Sequence, residues 1–250
     1  MSGHSKWSTI KHKKGAADAK RGKLFSKLSR AIIIAAKEGG ADPTGNLALQ
    51  NAVIKAKSYS MPKDNIERAI ARGAGTDADG ASYETIVYEG YGPGGVAVIV
   101  ESLTDNKNRT AADVRHLFDK NDGNLGTTGS VGWIFERRGQ VIVNGPADED
   151  ELTLVAADAG ADDVVSDGGM FQVLCAPELF GIVRDAIEAG GFSIESAELT
   201  MVPKTTVEVV EESVAKKLMR LMDALEDNDD VQEVYANFDI PDHILEAVAG

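Results

Sequence analysis

The spacing of apolar residues changes near residue 75, and this change most limits the folds open to the chain. Before it, apolar residues recur at the spacing of one helix face: Leu24, Leu28, Ala31 and Ala35. Gly39-Gly40 then predicts the end of that helix. After residue 75, short β-rich runs alternate with helical patterns. The sequence therefore predicts a helical domain followed by α+β structure.

Two further helices are predicted before the change. Asp42-Pro43 is typical of a cap followed by the first residue of a helix, and Met61-Pro62 ends that helix. Asp64 and Glu67 have the spacing of a capping box for the next helix, and Gly73 marks its end. Three short helices of this kind predict a small bundle.

The rest of the chain contains the order βαββαβ twice. Residues 137–203 carry one complete set, and the flanking segments supply β, α, β on each side, which spell a second set when joined. This arrangement predicts two ferredoxin-like α+β domains, one inserted in the other. The predicted domains are a basic helical domain (1–78), a discontinuous α+β domain (79–136 plus 204–250) and an inserted βαββαβ domain (137–203).

The net charge of −14 conceals two parts of opposite sign. Residues 1–75 contain 15 Lys plus Arg against 5 Asp plus Glu, whereas residues 76–250 contain 11 against 35. Residues 1–37 contain ten basic residues and one acidic residue, Asp18. Such asymmetry indicates a basic segment that contacts a polyanion and an acidic body that does not. The alternative is that the basic helices are simply solvated.

The basic segment also contains an aromatic residue and imidazoles. Lysines neutralise phosphates, and an aromatic ring can stack on an unpaired base, so Trp7 and His12 are candidate base contacts. Trp7 could instead anchor the segment to the bundle. The candidate phosphate contacts are Lys6, Lys11, Lys13, Lys14, Lys20, Arg21, Lys23, Lys27 and Arg30. We expect charge reversal at Lys13, Lys14, Lys23 and Lys27 to abolish binding without unfolding the chain.

Two loop motifs in the middle of the chain allow more than one interpretation. The glycine-rich run 90–95 lacks the Lys-Ser/Thr of a phosphate loop and precedes a strand pattern, which favours a turn. The segment 104–110 precedes a helix pattern, where Asp, Asn and Thr are common caps and where backbone N–H groups can also hold an anion. Capping does not explain Arg109, which is a candidate second phosphate contact.

The sequence shows no set of residues arranged for catalysis or for binding a metal. The four histidines are scattered, and no Cys/His cluster has zinc spacing, so we expect no enzyme activity, cofactor or small-molecule substrate. Cys175 lies in an apolar strand pattern as a small buried residue, and a single cysteine fits a reducing cytoplasm. The longest apolar run has six residues, so we expect no membrane span and no secretory signal.

Several long motifs are spread over the chain, among them Met1-Ser-Gly-His-Ser-Lys-Trp, Met61-Pro-Lys-Asp-Asn-Ile-Glu-Arg-Ala-Ile, Leu103-Thr-Asp-Asn-Lys-Asn-Arg-Thr and Leu125-Gly-Thr-Thr-Gly-Ser-Val. Together they resemble the YebC/PmpR family over essentially the whole chain. The chain departs from the family pattern at Asp122, where a glycine is usual, and at Ala31, where a glutamate is usual.

The resemblance implies a three-domain, non-enzymatic regulator of gene expression. Members of that family are described both as DNA-binding transcriptional regulators and as translation factors that engage the ribosome and relieve stalling at proline-rich stretches. No clear recognition helix is evident, and a lysine-rich segment with Trp7 suits structured RNA. We therefore expect contact with ribosomal RNA, with promoter DNA as the alternative target.

Overall fold

The computed structural model describes residues 18–75, 83–145, 147–167 and 169–249. These residues form two compact units. The first contains the described residues of Leu28–Thr76 and Arg137–Met201, and the second contains 18–27 and those of Asp77–Glu136 and Val202–Gly250. The predicted domain boundaries at residues 78, 136 and 203 stay predictions.

The helices and strands follow one another in a mixed order along the chain. They are α1 (Asp18–Gly39), α2 (Leu47–Ser58), α3 (Lys63–Ala74), β1 (Glu84–Tyr91), β2 (Ala97–Thr104), α4 (Lys107–Lys120), β3 (Asn124–Leu125), β4 (Phe135–Asn144), α5 (Glu149–Asp158), β5 (Ala161–Asp167), β6 (Met170–Cys175), α6 (Phe180–Ala189), β7 (Ile194–Pro203), β8 (Val207–Glu208), α7 (Glu212–Glu226), β9 (Val231–Ala236), β10 (Phe238–Asp239) and α8 (Asp242–Ala249). The predicted α+β fold class, with helices before the sheets, is confirmed.

Helix α1 passes from one unit to the other, because residues 18–27 belong to the second unit and the rest belongs to the first. Its buried positions in the first unit recur at helical spacing: Leu28, Ile32, Ala35 and Ala36. Helix α3 approaches α1 closely at Gly73, where an added Cβ would lie 2.3 Å from the Ile33 carbonyl oxygen. Glycine is therefore required at this crossing.

One buried side chain joins the end of α1 to the start of α2. The Asn46 Nδ2 donates to the Ala35 oxygen at 2.7 Å and to the Gly40 oxygen at 2.8 Å, and its Oδ1 accepts from the Leu49 N–H at 3.1 Å. Asn46, and not Asp42 as predicted, caps α2. The Asp42 carboxylate instead accepts two bonds from Thr44 and forms a turn.

The predicted capping box of the third helix is not formed. The backbone of Pro62 precedes α3, and no side chain bonds to the first N–H groups of that helix. Glu67 instead forms an ion pair with Lys63 at 3.4 Å along the helix surface. The sequence spacing predicted the helix correctly but not the partner of Glu67, because this carboxylate pairs with the Lys63 ammonium one turn away.

The strands of the inserted block form a four-stranded sheet in the order β5-β6-β4-β7. This is the order of a ferredoxin-like βαββαβ unit, as the sequence predicted. Helices α5 and α6 contribute Leu152, Val183 and Ile187 to a core shared with Val141 and Val173 of the sheet. Asp148 caps α5 by accepting from two backbone N–H groups.

The second unit contains a sheet in the order β3-β1-β2-β9. Helices α4 and α7 pack on it around Phe118, Leu218 and Leu221. The glycine-rich run is the tight turn between β1 and β2, as expected, and Gly94 and Gly95 have the positive φ values that glycine allows. Strands β8 and β10 pair separately in parallel.

The flanking segments do not form the second βαββαβ sheet that the sequence predicted. Strands β1 and β3 were not predicted, and β8 pairs with β10 instead of joining this sheet. Residues 130–136, which carry a strand pattern, do not form a strand of this sheet. The physical reason is Glu89, whose buried carboxylate accepts from the N–H groups of Gly129, Val131 and Gly132 at 2.7–2.8 Å. The loop backbone therefore wraps around a carboxylate, so its N–H groups are not available for strand pairing.

None of the described helices combines the length and the apolar character that crossing a lipid bilayer requires.

Candidate nucleic-acid interface

The structure locates only part of the predicted interface. Lys6, Trp7, Lys11, His12, Lys13 and Lys14 lie outside the described residues, and so does the side chain of Lys20. Four of the remaining residues lie on α1: Arg21, Lys23, Lys27 and Arg30. Arg21 is exposed and Arg30 is half-buried. Arg109 lies in the first turn of α4.

Two lysines of α1 contact the C-terminal end of helix α7. The Lys27 ammonium donates to the Glu226 carbonyl oxygen, and the Lys23 ammonium lies 3.4 Å from the Asp227 carbonyl oxygen and 3.9 Å from the Asp229 carboxylate. The last carbonyls of a helix carry partial negative charge, and cations stabilise them. Lys23 and Lys27 therefore have an intramolecular role in addition to the predicted phosphate contacts.

Lys27 is the more buried of the two lysines. Burial lowers the pKa of its ammonium, while the carboxylates of Glu226, Glu233, Asp229 and Asp227 act in the opposite direction. The charge is thus held in a partly desolvated position that is surrounded by acids. The acids compensate part of the desolvation cost of the ammonium.

Arg109 is held by two carboxylates. Its Nη2 lies 2.7 Å from Asp230 Oδ2 and 2.9 Å from Asp105 Oδ1. Asp230 is 7% exposed, and its Oδ2 also accepts from the hydroxyl groups of Thr110 at 2.7 Å and Thr104 at 3.3 Å. These bonds tie the end of β2 and the start of α4 to the residue that precedes β9. These contacts explain the presence of an arginine at position 109, which helix capping did not explain.

A single acidic turn thus brings three predicted phosphate contacts together. Residues 226–230, which end α7 and lead into β9, accept hydrogen bonds or ion pairs from Lys23, Lys27 and Arg109. This turn offers carboxylate and carbonyl oxygens where a nucleic acid would offer phosphate oxygens. Sequence spacing could not show this, because the turn lies about 200 residues from the two lysines.

The Asp230 cluster predicts a pH-dependent contribution to stability. Burial alone would raise the pKa of Asp230, but the hydrogen bonds from Arg109 and the threonines and the charge of Arg109 lower it. The folded-state pKa then lies below the unfolded value of about 4, so the stabilisation is present above that pH and is lost as pH falls through the folded value. Asp230→Asn is expected to lower the free energy of unfolding by about 2 kcal/mol at pH 7.

Urea unfolding at pH 7 and at acidic pH checks this expectation. The difference between the wild-type chain and Asp230→Asn should shrink on acidification, since the protonated aspartate also lacks its charge. Asp113→Asn, which removes an exposed carboxylate from the same helix α4, is the matched control and should change stability little. A constant difference between Asp230→Asn and the wild-type chain at both pH values would contradict the assignment.

The described residues contain no group of three or more His, Cys, Asp and Glu side chains placed to hold a metal ion. Cys175 is fully buried, as predicted, and its Sγ lies 3.7 Å from the Gly139 oxygen. Burial raises the pKa of its thiol, and the nearby charge of Asp162 raises it further. A buried thiol with a raised pKa is a poor nucleophile.

Helix α3 carries two exposed arginines that the sequence analysis did not single out. Arg68 and Arg72 are four residues apart and therefore lie on one face of the helix. Their i, i+4 spacing is visible in the sequence and is the signal that predicts a basic face on this helix.

Comparison with known proteins gives consistent matches over the length of the chain. The family described as "TACO1/YebC protein N-terminal domain" matches residues 5–76, and the one described as "TACO1/YebC second and third domain" matches residues 83–238. A "Probable transcriptional regulatory protein" from Rubrobacter xylanophilus is 58% identical over 253 aligned residues, and one from Syntrophobacter fumaroxidans is 56% identical over 250, each covering 100% of both chains. The crystal structure of a conserved hypothetical protein from Aquifex aeolicus matches with a TM-score of 0.80 and 47% identity, covering 91% of this chain and 94% of the other.

Proposed function

Since the chain belongs to the TACO1/YebC family, we propose that it is a nucleic-acid-binding regulator of gene expression without a catalytic role. The observation that carries this proposal is the distribution of charge. Ten basic residues against one acidic residue lie within residues 1–37 of a chain whose net charge is −14. Such a concentration of cations attracts a polyanion, and Lys and Arg side chains neutralise its phosphates.

Lys23, Lys27 and Arg109 already have partners within the chain. We therefore propose that the other basic residues make most of the phosphate contacts. Phosphate binding by those three residues would have to compete with the acidic turn at residues 226–230. We assign the phosphate contacts to the remaining predicted residues: Lys6, Lys11, Lys13, Lys14, Lys20, Arg21 and Arg30. Trp7 and His12 are the proposed base contacts.

Ribosomal RNA is the target that we favour, with relief of ribosome stalling at proline-rich stretches as the outcome. A lysine-rich segment with an aromatic residue suits the irregular, partly unpaired surface of folded RNA. Promoter DNA is the second candidate target, and the names of the bacterial relatives favour it. Both candidates depend on the same basic residues.

Crosslinking in cells followed by sequencing of the bound nucleic acid distinguishes the two targets. Enrichment of ribosomal RNA over total RNA is the expected result. Enrichment of promoter fragments would show that the chain regulates transcription and not translation. If neither nucleic acid is enriched over a mock sample, the chain is not a nucleic-acid-binding regulator.

Binding to either target is expected to depend steeply on salt. If about six phosphates are neutralised, affinity should fall by roughly three decades between 50 and 200 mM monovalent salt. Fluorescence anisotropy of a labelled oligonucleotide over this range gives the slope directly. A nearly flat salt dependence would show that phosphate neutralisation does not drive the binding.

A further inference from the structure

An open groove of about 230 Å³ runs between helices α1 and α3 in the first unit. Two basic and two neutral polar side chains line it together with two apolar ones. The lining residues are Ser29, Ile33, Asn65, Arg68, Ala69 and Arg72. All six lining residues belong to helices α1 and α3 of the first unit.

The sequence builds this groove from two helix faces. Ser29 and Ile33 are four residues apart on α1, and the lining residues of α3 recur at intervals of three and four, so each set lies on one face. The close approach at Gly73 brings α3 against α1 beside Arg72. Of the residues that line the groove, Arg68 and Arg72 are exposed, whereas Ala69 is buried and Ile33 is half-buried.

Arg68 is held in position by its own helix. Its Nε donates to the Asp64 carbonyl oxygen at 3.1 Å, and its Nη2 donates to the Asn65 side-chain oxygen. The side chains of Arg68 and Arg72 lie on an exposed surface. Guanidinium groups present planar sets of donors that match phosphate oxygens, and two of them on adjacent helical turns can engage one phosphate or two neighbouring ones.

We propose that this groove binds the sugar-phosphate backbone of a nucleic-acid strand, with Arg68 and Arg72 on the phosphate oxygens and Ser29 and Asn65 as neutral hydrogen-bonding partners. The proposal rests on the proposed function and adds a second contact to it. The groove is smaller than the enclosed sites of 300–1,000 Å³ that hold small-molecule ligands, and it is open to solvent. An open, cationic groove of this size can hold a short segment of a nucleic-acid strand that continues beyond it on both sides.

The double variant Arg68→Gln with Arg72→Gln tests the proposal in the full-length chain. Its affinity for a fluorescein-labelled single-stranded RNA 20-mer is expected to fall about tenfold at 150 mM salt, and its salt slope to decrease by about 1.4, since each phosphate contact to a single strand contributes about 0.7. A duplex DNA of the same sequence is measured in parallel. The two arms show which nucleic acid uses the groove.

The matched control removes two positive charges from exposed positions of the same helical region outside the groove. Lys57→Gln with Lys63→Gln should lower affinity less than threefold and leave the slope within about half a unit. A second variant, Ser29→Phe, obstructs the groove without changing charge and should also weaken binding. Thermal unfolding of each variant verifies that it remains folded.

The results separate the two proposals. If the wild-type chain binds with a steep salt dependence but the groove variants behave like the lysine control, the groove assignment is wrong and the proposed function stands. If the wild-type chain binds neither RNA nor DNA in a salt-dependent way, both proposals fail. A loss confined to the groove variants supports the assignment.

Discussion

Replacing Lys6, Lys11, Lys13 and Lys14 with glutamate is expected to weaken nucleic-acid binding by roughly two to three decades at physiological salt, because four phosphate contacts are lost and four repulsions replace them. Fluorescence anisotropy with labelled RNA and duplex DNA measures this loss. This set of four lysines differs from the set that the sequence analysis selected for charge reversal. Lys23 and Lys27 are left unchanged, because their contacts with the end of α7 would confuse a loss of binding with a loss of structure.

The control for this variant carries the same change in net charge at four exposed lysines elsewhere: Lys57, Lys107, Lys120 and Lys204. Replacing these with glutamate should weaken binding less than tenfold, because only the general field of the protein changes. Equal losses in the two variants would show that total charge, and not the basic segment, determines binding. The melting temperature of both variants should stay near that of the wild-type chain.

Reversing the charge of Lys27 is expected to have the largest effect on stability, in the range of about 3–5 kcal/mol. In Lys27→Glu, a partly buried carboxylate would face the Glu226 carbonyl oxygen and the carboxylates that now surround the ammonium. Lys27→Met keeps the aliphatic stem and loses only the charge, so we expect a smaller cost of about 1–2 kcal/mol. Urea unfolding monitored by circular dichroism gives both values.

Lys37→Glu is the matched control, since it reverses an exposed charge on the same helix. It should cost less than about 1 kcal/mol, the usual effect of a wrong charge near a helix end. If Lys27→Glu is no less stable than Lys37→Glu but binds nucleic acid far more weakly, then Lys27 belongs to the interface and not to the fold.

The fold class followed from the sequence because periodicity is a local property. Helices α1 to α3 and the βαββαβ block were predicted from spacing alone, and the strand order of that block agrees with the expectation. Strand β1 was missed because Glu84, Glu89 and Gly90 interrupt its β pattern. Glu89 is tolerated there because backbone N–H groups some 40 residues later satisfy its buried carboxylate. No local pattern contains that information.

The candidate interface was predictable as a region but not residue by residue. Charge counting identified the basic segment. The same counting could not separate lysines that are available to a ligand from those that hold the chain together. Lys23, Lys27 and Arg109 have partners in residues 226–230 that only the tertiary structure brings near.

The bonds of Asn46 also determine how the connection between α1 and α2 opens. Because one amide group bonds to the Ala35 and Gly40 carbonyls and to the Leu49 N–H, displacement of the Asn46 side chain removes all three bonds at once. We therefore expect residues 40–46 to open as one unit in native-state hydrogen exchange, with similar opening free energies for the backbone amides on both sides of the connection.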